Sequence, residues 1–250
     1  MNPPRWLSPL LALAALALWE ILVRLFAVPA YLLPGPLAIL AAAAADAPGL
    51  GAALLATLAV TAAALVAASL LGVALAAAMA ASPWARAAFQ PWAVVLQVTP
   101  VVAIAPLIII WVGQPFLALV ACATIVAFFP VFSATLAGLT APPRDLLDLF
   151  RLNGATRLQE LRLLRLPAAL PFFLAGLRIS GGLALVGAVV AEFVAGSGGF
   201  AAGLAYRILE AGYRLQIPRM FAALALLALA GLAINAALAA VERRWLRDHA

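Results

Sequence analysis

The feature that most limits how this chain can fold is a long run, residues 87–143, that contains no charged side chain. A second charge-free run covers residues 47–85. Soluble domains carry about 25% charged residues, whereas this chain has 10% charged residues, 68% hydrophobic residues and a mean hydropathy of +1.17. Runs of this length belong in a bilayer, where helices satisfy their own backbone. The sequence therefore predicts an all-α, polytopic transmembrane helix bundle.

The lengths of the apolar runs predict about six spans, because one bilayer crossing takes about 20 residues. The predicted spans are residues 7–28, 54–80, 92–111, 116–139, 172–195 and 220–241. Two short surface helices are predicted at 37–45 and 204–214, the second after a flexible glycine-rich turn at 196–203. We expect one domain, residues 1–250, and a first span that is retained rather than cleaved as a signal peptide.

The third and fourth predicted spans contain prolines within their length. Pro100 and Pro106 are expected to kink the third span and Pro130 the fourth, while Gly113-Gln114-Pro115 predicts the hairpin between them. A kinked helix in a bundle often lines a path or forms a hinge. In the first span, Glu20 and Arg24 stand four residues apart and are expected to pair on one face.

One stretch, residues 144–167, interrupts the apolar pattern with 8 of the chain's 24 charged residues. Lipid does not accommodate such a density of charge, so we expect this stretch in water. Leucines recur at helical spacing on both sides of Asn153-Gly154, which predicts two short helices around a left-handed turn. The alternative, a solvated loop whose arginines only set topology, explains neither the turn nor the leucine faces. Those faces need a partner to cover them.

Absent residue types exclude several chemistries. All 15 basic residues are arginines, so the chain has no lysine for a P-loop or a Schiff base. His249 is the only histidine and Cys122 the only cysteine, which leaves no material for common triads or metal sites. The arginines do not alternate with stacking aromatics, so nucleic-acid binding is not expected. We predict a chain that is not an enzyme and has no catalytic residue, metal ligand or cofactor of its own.

The polar stretch resembles the coupling loop of bacterial ABC importer permeases. Nine residues separate Gly154 from Leu164-Arg165-Leu166-Pro167, which is similar to the G-x9-I-x-L-P half of that loop. Where the family usually reads Glu-Ala-Ala, this chain has Asp148-Leu149-Phe150. The resemblance implies that the loop docks into a groove on a cytoplasmic ATPase. The residues it assigns to this role are Asp148, Leu149, Phe150, Arg151, Asn153, Gly154, Ala155, Leu166 and Pro167.

A second resemblance covers roughly residues 31–245 and narrows the family to the nitrate, sulfonate and taurine type of permease. The residues that carry it are Pro100, Ala103, Pro106, Leu107, Ile109, Trp111, Gly113, Phe129 and Pro130. The implied cargo is a small solute: nitrate, a sulfonate, taurine or a pyrimidine-type compound. The implied partners are two ATPase subunits that bind ATP and Mg, a second copy of the permease, and a periplasmic or lipid-anchored binding protein.

The translocation path has five candidate residues: Gln97, Pro100, Pro106, Arg178 and Glu192. The last two lie on nearly one face of the fifth span, about 21 Å apart, too far to pair with each other. For Arg178 the sequence leaves snorkelling to water and a path-lining position equally open, and for Glu192 it favours the outer mouth of the path.

An even number of spans places both termini on one side, and the arginines favour that side as the cytoplasm of an inner-membrane protein. It would hold Arg5, Arg86, Arg144, Arg151, Arg157, Arg162, Arg165, Arg243, Arg244 and Arg247, against Arg24, Arg207, Arg214 and Arg219 opposite. Two other functions stay open. A gradient-driven carrier or channel needs an intramembrane ion site, for which only Arg178 and Glu192 qualify, and a membrane scaffold needs no path.

Overall fold

Helices account for most of the computed structural model, which describes residues 6–196 and 202–247. They are α1 (Leu7–Leu25), α2 (Pro36–Ala45), α3 (Ala47–Ala81), α4 (Pro83–Val98), α5 (Val101–Val112), α6 (Pro115–Leu139), α7 (Arg144–Leu152), α8 (Arg157–Glu160), α9 (Leu166–Ala195), α10 (Leu204–Tyr213) and α11 (Ile217–Arg247). A π turn, Leu161–Arg165, joins α8 to α9. Arg5, His249 and residues 197–201 of the predicted glycine-rich turn lie outside the described residues.

Four helices in the described ranges are long and apolar enough to cross a membrane. They are Ala47–Ala81, Pro115–Leu139, Arg157–Ala195 and Ile217–Trp245, and α4 with α5 adds a fifth if the two form one broken span. These helices confirm the predicted all-α polytopic fold. The short helices predicted at 37–45 and 204–214 are present as α2 and α10. α1 has 19 residues and is not among the candidates, so its crossing stays a prediction.

The prediction of one kinked helix over residues 92–111 is wrong. The chain forms two helices, α4 and α5, bent by 102° relative to each other. Pro100 has no amide hydrogen, and its ring excludes the helical conformation at Thr99, whose ψ is 121°. Pro106 is accommodated inside α5. α4 begins at Pro83, directly after Ser82, whose side chain caps the helix by accepting from the amide of Ala85.

Two other boundaries differ from the predictions. α3 begins at Ala47 rather than near residue 54, because Pro48 sits in the first turn, where its missing amide hydrogen costs nothing. The fifth span was predicted to begin at residue 172, but its helix continues without a break from Arg157. The π turn directly before Pro167 widens the backbone, and Pro171 lies inside α9.

The described residues form two compact units. The first contains residues 6–56, 196 and 202–229. Its buried core includes Leu50, Ala53, Leu204 and Ala223, and an ion pair joins Asp46 to Arg219 at 2.6 Å. Within it α1, α2 and α11 border an apolar groove of about 450 Å³. The predicted pair of Glu20 with Arg24 forms here at 2.7 Å and is confirmed.

The second unit contains residues 57–195 and 230–247, and its centre is the antiparallel packing of α6 against α9. Small residues bring the two backbones together, as helix packing in lipid requires. A Cβ on Gly176 would stand 2.8 Å from the carbonyl oxygen of Pro130, and one on Gly187 would stand 2.8 Å from the Cα of Ala123. Between these points the hydroxyl of Ser180 donates to the carbonyl of Ala127 at 2.7 Å.

Candidate functional site

The stretch 144–167, called the elbow below, contains α7, an ordered turn, and the start of the long helix that begins at Arg157. The amide of Ala155 donates to the carbonyl of Phe150, and the amide of Gly154 to the carbonyl of Arg151, both at 3.0 Å. Gly154 has φ +73°, so this is a Schellman motif around a left-handed residue. The side chain of Asn153 donates to the carbonyl of Leu149 at 2.8 Å. The left-handed turn predicted at Asn153-Gly154 is therefore present.

The second arm of the elbow starts with a capping box. The hydroxyl of Thr156 accepts from the amide of Gln159 at 3.3 Å, and the side chain of Gln159 accepts from the amide of Thr156 at 2.7 Å. These reciprocal bonds satisfy two amides at the start of α8. The four residues of α8 then run into the π turn and α9. Hydrogen bonds within the elbow therefore fix its turn on both sides, at the end of α7 and at the start of α8.

Charged side chains connect α7 to α8 and to the π turn that follows it. Arg151 on α7 contacts Asp148 at 3.2 Å and approaches Glu160 on α8 to 4.0 Å. Glu160 in turn pairs with Arg165 of the π turn at 2.6 Å. The guanidinium of Arg165 also donates to the carbonyl of Leu139 at 3.1 Å. A continuous series of polar contacts therefore runs from the tip of α7 to the end of α6.

α7 exposes apolar side chains as well as its charged ones. α7 has no buried residue, and Leu149 and Leu152 are 52% and 87% exposed. A cleft of about 310 Å³ opens beside them. Its lining consists of Leu149, Phe150, Asn153, Gly154, Ala155, Gln159 and Leu163. Exposed leucines beside a concave surface are typical of a protein-interaction site.

The elbow brings most of the predicted coupling residues together. Five of them, Leu149, Phe150, Asn153, Gly154 and Ala155, share the lining of this one cleft. Asp148 and Arg151 form the exposed ion pair at its side. Leu166 and Pro167 lie beyond the π turn, at the exposed start of α9.

The predicted path residues occupy separate places in the second unit. Gln97 lines a cleft of about 410 Å³ bordered by α4, α5, α6 and α9, whereas Pro100, Pro106, Arg178 and Glu192 are not among its lining residues. Apart from Gln97 and Thr99, the cleft is lined by apolar side chains and Gly187, with Phe129 as the aromatic one. The hydroxyl of Thr99 donates to the carbonyl of Val95 at 2.6 Å.

Each of the two charged path candidates has a partner that the sequence reasoning missed. Arg178 donates to the side chain of Asn235 at 3.0 Å and lies 3.5 Å from Glu242. Asn235 and Glu242 are seven residues apart on α11, hence on one helix face, and that spacing is the signal that could have identified them. Glu192 is 3% exposed and accepts from the hydroxyl of Thr57 at 2.8 Å. Thr57 gives no comparable signal in an alanine-rich apolar run.

Across the described ranges, no group of three or more His, Cys, Asp or Glu side chains is placed to hold a metal ion. Cys122, the sole cysteine, is buried in α6.

Comparison with known proteins places the chain in a family. Residues 68–247 match the family model described as "binding-protein-dependent transport system inner membrane component". A probable ABC transporter permease of Haemophilus influenzae is 35% identical over 89% of this chain and 90% of its own length. The riboflavin transport system permease protein RibX of Chloroflexus aurantiacus is 39% identical over 95% of this chain and 89% of its own length.

Other relatives carry the names of different cargoes. The formylaminopyrimidine transport permease protein ThiX of Halalkalibacterium halodurans is 36% identical over 62% of this chain and 60% of its own length, and further relatives are named for aliphatic sulfonates and taurine. The fold is similar to a crystal structure of an amino acid ABC transporter, with a TM-score of 0.66 at 22% identity over 80% of this chain and 96% of that one.

These matches confirm the resemblance drawn from the elbow and the proline pattern. The chain belongs to the family of binding-protein-dependent transport system inner membrane components, the multi-pass permease subunits of ABC transporters.

Proposed function

We infer that this chain is the membrane-spanning subunit of an ATP-driven importer and that the elbow is the surface on which the ATPase docks. The observation that carries this inference is the exposed apolar face of α7 beside the cleft at Gly154. Exposing an apolar face to water is energetically unfavourable, and the cost is removed when another protein covers that face. The turn is fixed by its own backbone hydrogen bonds, so it loses little conformational freedom when the partner binds.

The proposed complex contains two copies of the permease, two ATPase subunits and an external binding protein that delivers the solute. ATP and Mg bind to the ATPase subunits, and this chain contributes no nucleotide site. When the ATPases close, the two elbows move toward each other and the bundle changes the side from which its path is open. The runner-up is a gradient-driven carrier, for which uptake continues without any ATPase.

The proposed orientation places both termini and the elbow in the cytoplasm. Most arginines fall on that side of the predicted topology, five of them in the elbow itself: Arg144, Arg151, Arg157, Arg162 and Arg165. Positive residues near span ends favour the cytoplasmic face during insertion.

The cleft at Gln97 supports an uncharged cargo among the solutes implied by the resemblance. No charged side chain is present among the residues that line it. An anion such as nitrate or a sulfonate, or a zwitterion such as taurine, would lose hydration of its charged groups there without gaining a counter-charge. The amide of Gln97 makes no hydrogen bond to another described residue, so it is available to a heterocycle, and Phe129 offers a face for stacking. A pyrimidine-type or flavin-type solute fits this lining best, in keeping with the names of two relatives.

The docking role is tested by purifying the permease from membranes that also contain its ATPase and measuring the stoichiometry. The unmodified chain is expected to retain an ATPase subunit at equal stoichiometry, and Leu149→Glu is expected to lose it. Leu158→Glu is the matched control, because Leu158 has a similar exposure, 54%, but is not part of the cleft lining. Retention of the ATPase by Leu149→Glu, or equal loss in both variants, contradicts the proposal.

A further inference from the structure

The joint between the elbow and the bundle contains a shielded charge cluster that the docking role does not require. Glu160 and Arg165 are only 13% and 18% exposed, whereas Asp148 and Arg151, the ion pair at the tip, are both 63% exposed. Water screens the pair at the tip but screens the inner pair much less. The inner pair therefore holds its geometry more firmly than a surface ion pair.

The π turn is what brings this pair together. Glu160 and Arg165 are five residues apart, and in an α-helix a five-residue separation places two side chains about 140° apart around the axis. The wider turn at Leu161–Arg165 returns Arg165 to the side of Glu160, where Nε and Nη2 approach one carboxylate oxygen at 2.7 and 2.6 Å. π turns within α-helices are frequent at functional positions.

The remaining donor of Arg165 reaches a different helix. Its Nη1 donates to the carbonyl of Leu139, the last residue of α6, at 3.1 Å. The last carbonyls of a helix lack partners within the helix, and a positive charge there complements the helix dipole. Arg165 thus satisfies a carbonyl at the end of α6 and pairs with Glu160 at the same time. Arg151 of α7 approaches the carboxylate of Glu160 at 4.0 Å.

We propose that Arg165, held by Glu160, is the positioning residue that transmits movement of the elbow to α6. This inference rests on the proposed coupling function of the elbow. α7 follows α6 after residues 140–143, and the polar contacts through Glu160 and Arg165 add a second link to the end of α6. A displacement of α7 by the ATPase therefore reaches α6 through these side chains as well as through the chain. α6 packs closely against α9 through small residues, and the two helices then move together.

The test uses the assembled complex with spin labels at two positions of each permease copy, and with Cys122 replaced by serine. Asp145→Cys, an exposed position of α7 outside the cleft lining, reports movement of the elbow, and Gln114→Cys reports movement of the opposite end of α6. Distances between the two copies are measured by pulsed electron resonance before and after trapping with ATP and vanadate. Arg165→Gln is compared with Arg162→Gln, an exposed arginine of the same π turn that forms no ion pair within the described chain.

We expect trapping to shift both distances in the unmodified complex and in Arg162→Gln. In Arg165→Gln the elbow distance is expected to shift as before, while the shift at residue 114 falls at least twofold. Arg165→Lys is expected to behave like Arg165→Gln, because one ammonium lacks the planar fork that serves both Glu160 and the Leu139 carbonyl. A full shift at residue 114 in Arg165→Gln overturns the proposal.

Two other results are also decisive. If Arg165→Gln no longer assembles with the ATPase, or its elbow no longer moves, the residue belongs to folding or docking and the transmission role is refuted. If the elbow of the unmodified complex stays still although ATP is trapped, the coupling function of the elbow fails first, and the transmission role fails with it.

Discussion

The amide of Ala155 donates to the carbonyl of Phe150 at 3.0 Å, and this bond closes the end of α7 around Gly154. Gly154 has φ +73° and donates its own amide to Arg151. Proline fixes φ near about −65° and has no amide hydrogen. We expect Gly154→Pro to abolish ATP hydrolysis coupled to transport while membrane insertion is unchanged.

Gly154→Asn is the control for this substitution. A Cβ at Gly154 meets nothing within 4 Å, so only the backbone conformation limits the choice of residue. Asparagine tolerates the left-handed region and is expected to keep more than half of the coupled hydrolysis. The measurement is substrate-stimulated ATPase activity of the reconstituted complex, and undiminished stimulation in Gly154→Pro contradicts the role of the turn.

The packing of α6 on α9 gives a stability prediction. A Cβ on Gly176 would stand 2.7 Å from the Cβ of Ala134 and 2.8 Å from the Pro130 carbonyl oxygen, and neither neighbour is a flexible chain end. We expect Gly176→Ala to lower the stability of the permease by about 1–3 kcal/mol, as overpacking does. Gly182→Ala is the control, because a Cβ there meets nothing within 4 Å and alanine favours the helix. Thermal unfolding in detergent measures both, and equal melting temperatures refute the close-packing argument.

Leu215 offers a substitution that should raise stability. It follows α10 with φ +57° and an exposed side chain, so a leucine occupies a position that favours glycine. The amide of Gln216 donates to the carbonyl of Ala211 at 2.8 Å, which fixes this conformation. We expect Leu215→Gly to stabilise the permease by about 1 kcal/mol, because it removes the strain of the left-handed backbone. Leu215→Ala keeps a Cβ and should give no gain; a gain equal to that of glycine would show that the leucine side chain is the cause.

The cargo proposal predicts how Gln97 affects uptake. In proteoliposomes that contain the complete importer, we expect riboflavin or an aminopyrimidine to be transported and taurine and nitrate not to be. Gln97→Leu removes the free amide from the cleft and is expected to lower uptake about fivefold or more, the loss of one hydrogen bond. Gln90→Leu, on a different cleft, is the control. Transport of taurine or nitrate in preference to the heterocycles rejects the proposal that the cargo carries no charged group.

The sequence predicted the features that depend on local composition and chain geometry. Apolar runs located the helices that contain residues 116–139 and 220–241, and Asn153-Gly154 located the turn of the elbow. Glu20 and Arg24 could be paired in advance because a helix brings residues four apart onto one face.

Features that depend on tertiary partners were not predictable in this way. Pro100 predicts an interruption of the helix, but the proline alone does not determine the size of the bend, which is 102° between α4 and α5. That angle depends on what packs against the two helices. The hydrogen bond of Glu192 with Thr57 joins residues 135 positions apart. The π turn before Pro167 accompanies a contact of Arg165 with Leu139, which is distant in the chain. Hydropathy averages over such contacts and therefore does not detect them.

The most direct test of the proposed docking role is the accessibility of a cysteine placed at Leu152, which is 87% exposed on the elbow. Background labelling is small because the only natural cysteine, Cys122, is buried. We predict that a membrane-impermeant maleimide labels Leu152→Cys in inside-out vesicles and not in right-side-out vesicles, and that the bound ATPase protects it. Labelling from the outer surface alone, or equal labelling with and without the ATPase, would contradict the claim that the elbow is the cytoplasmic dock of a transport motor.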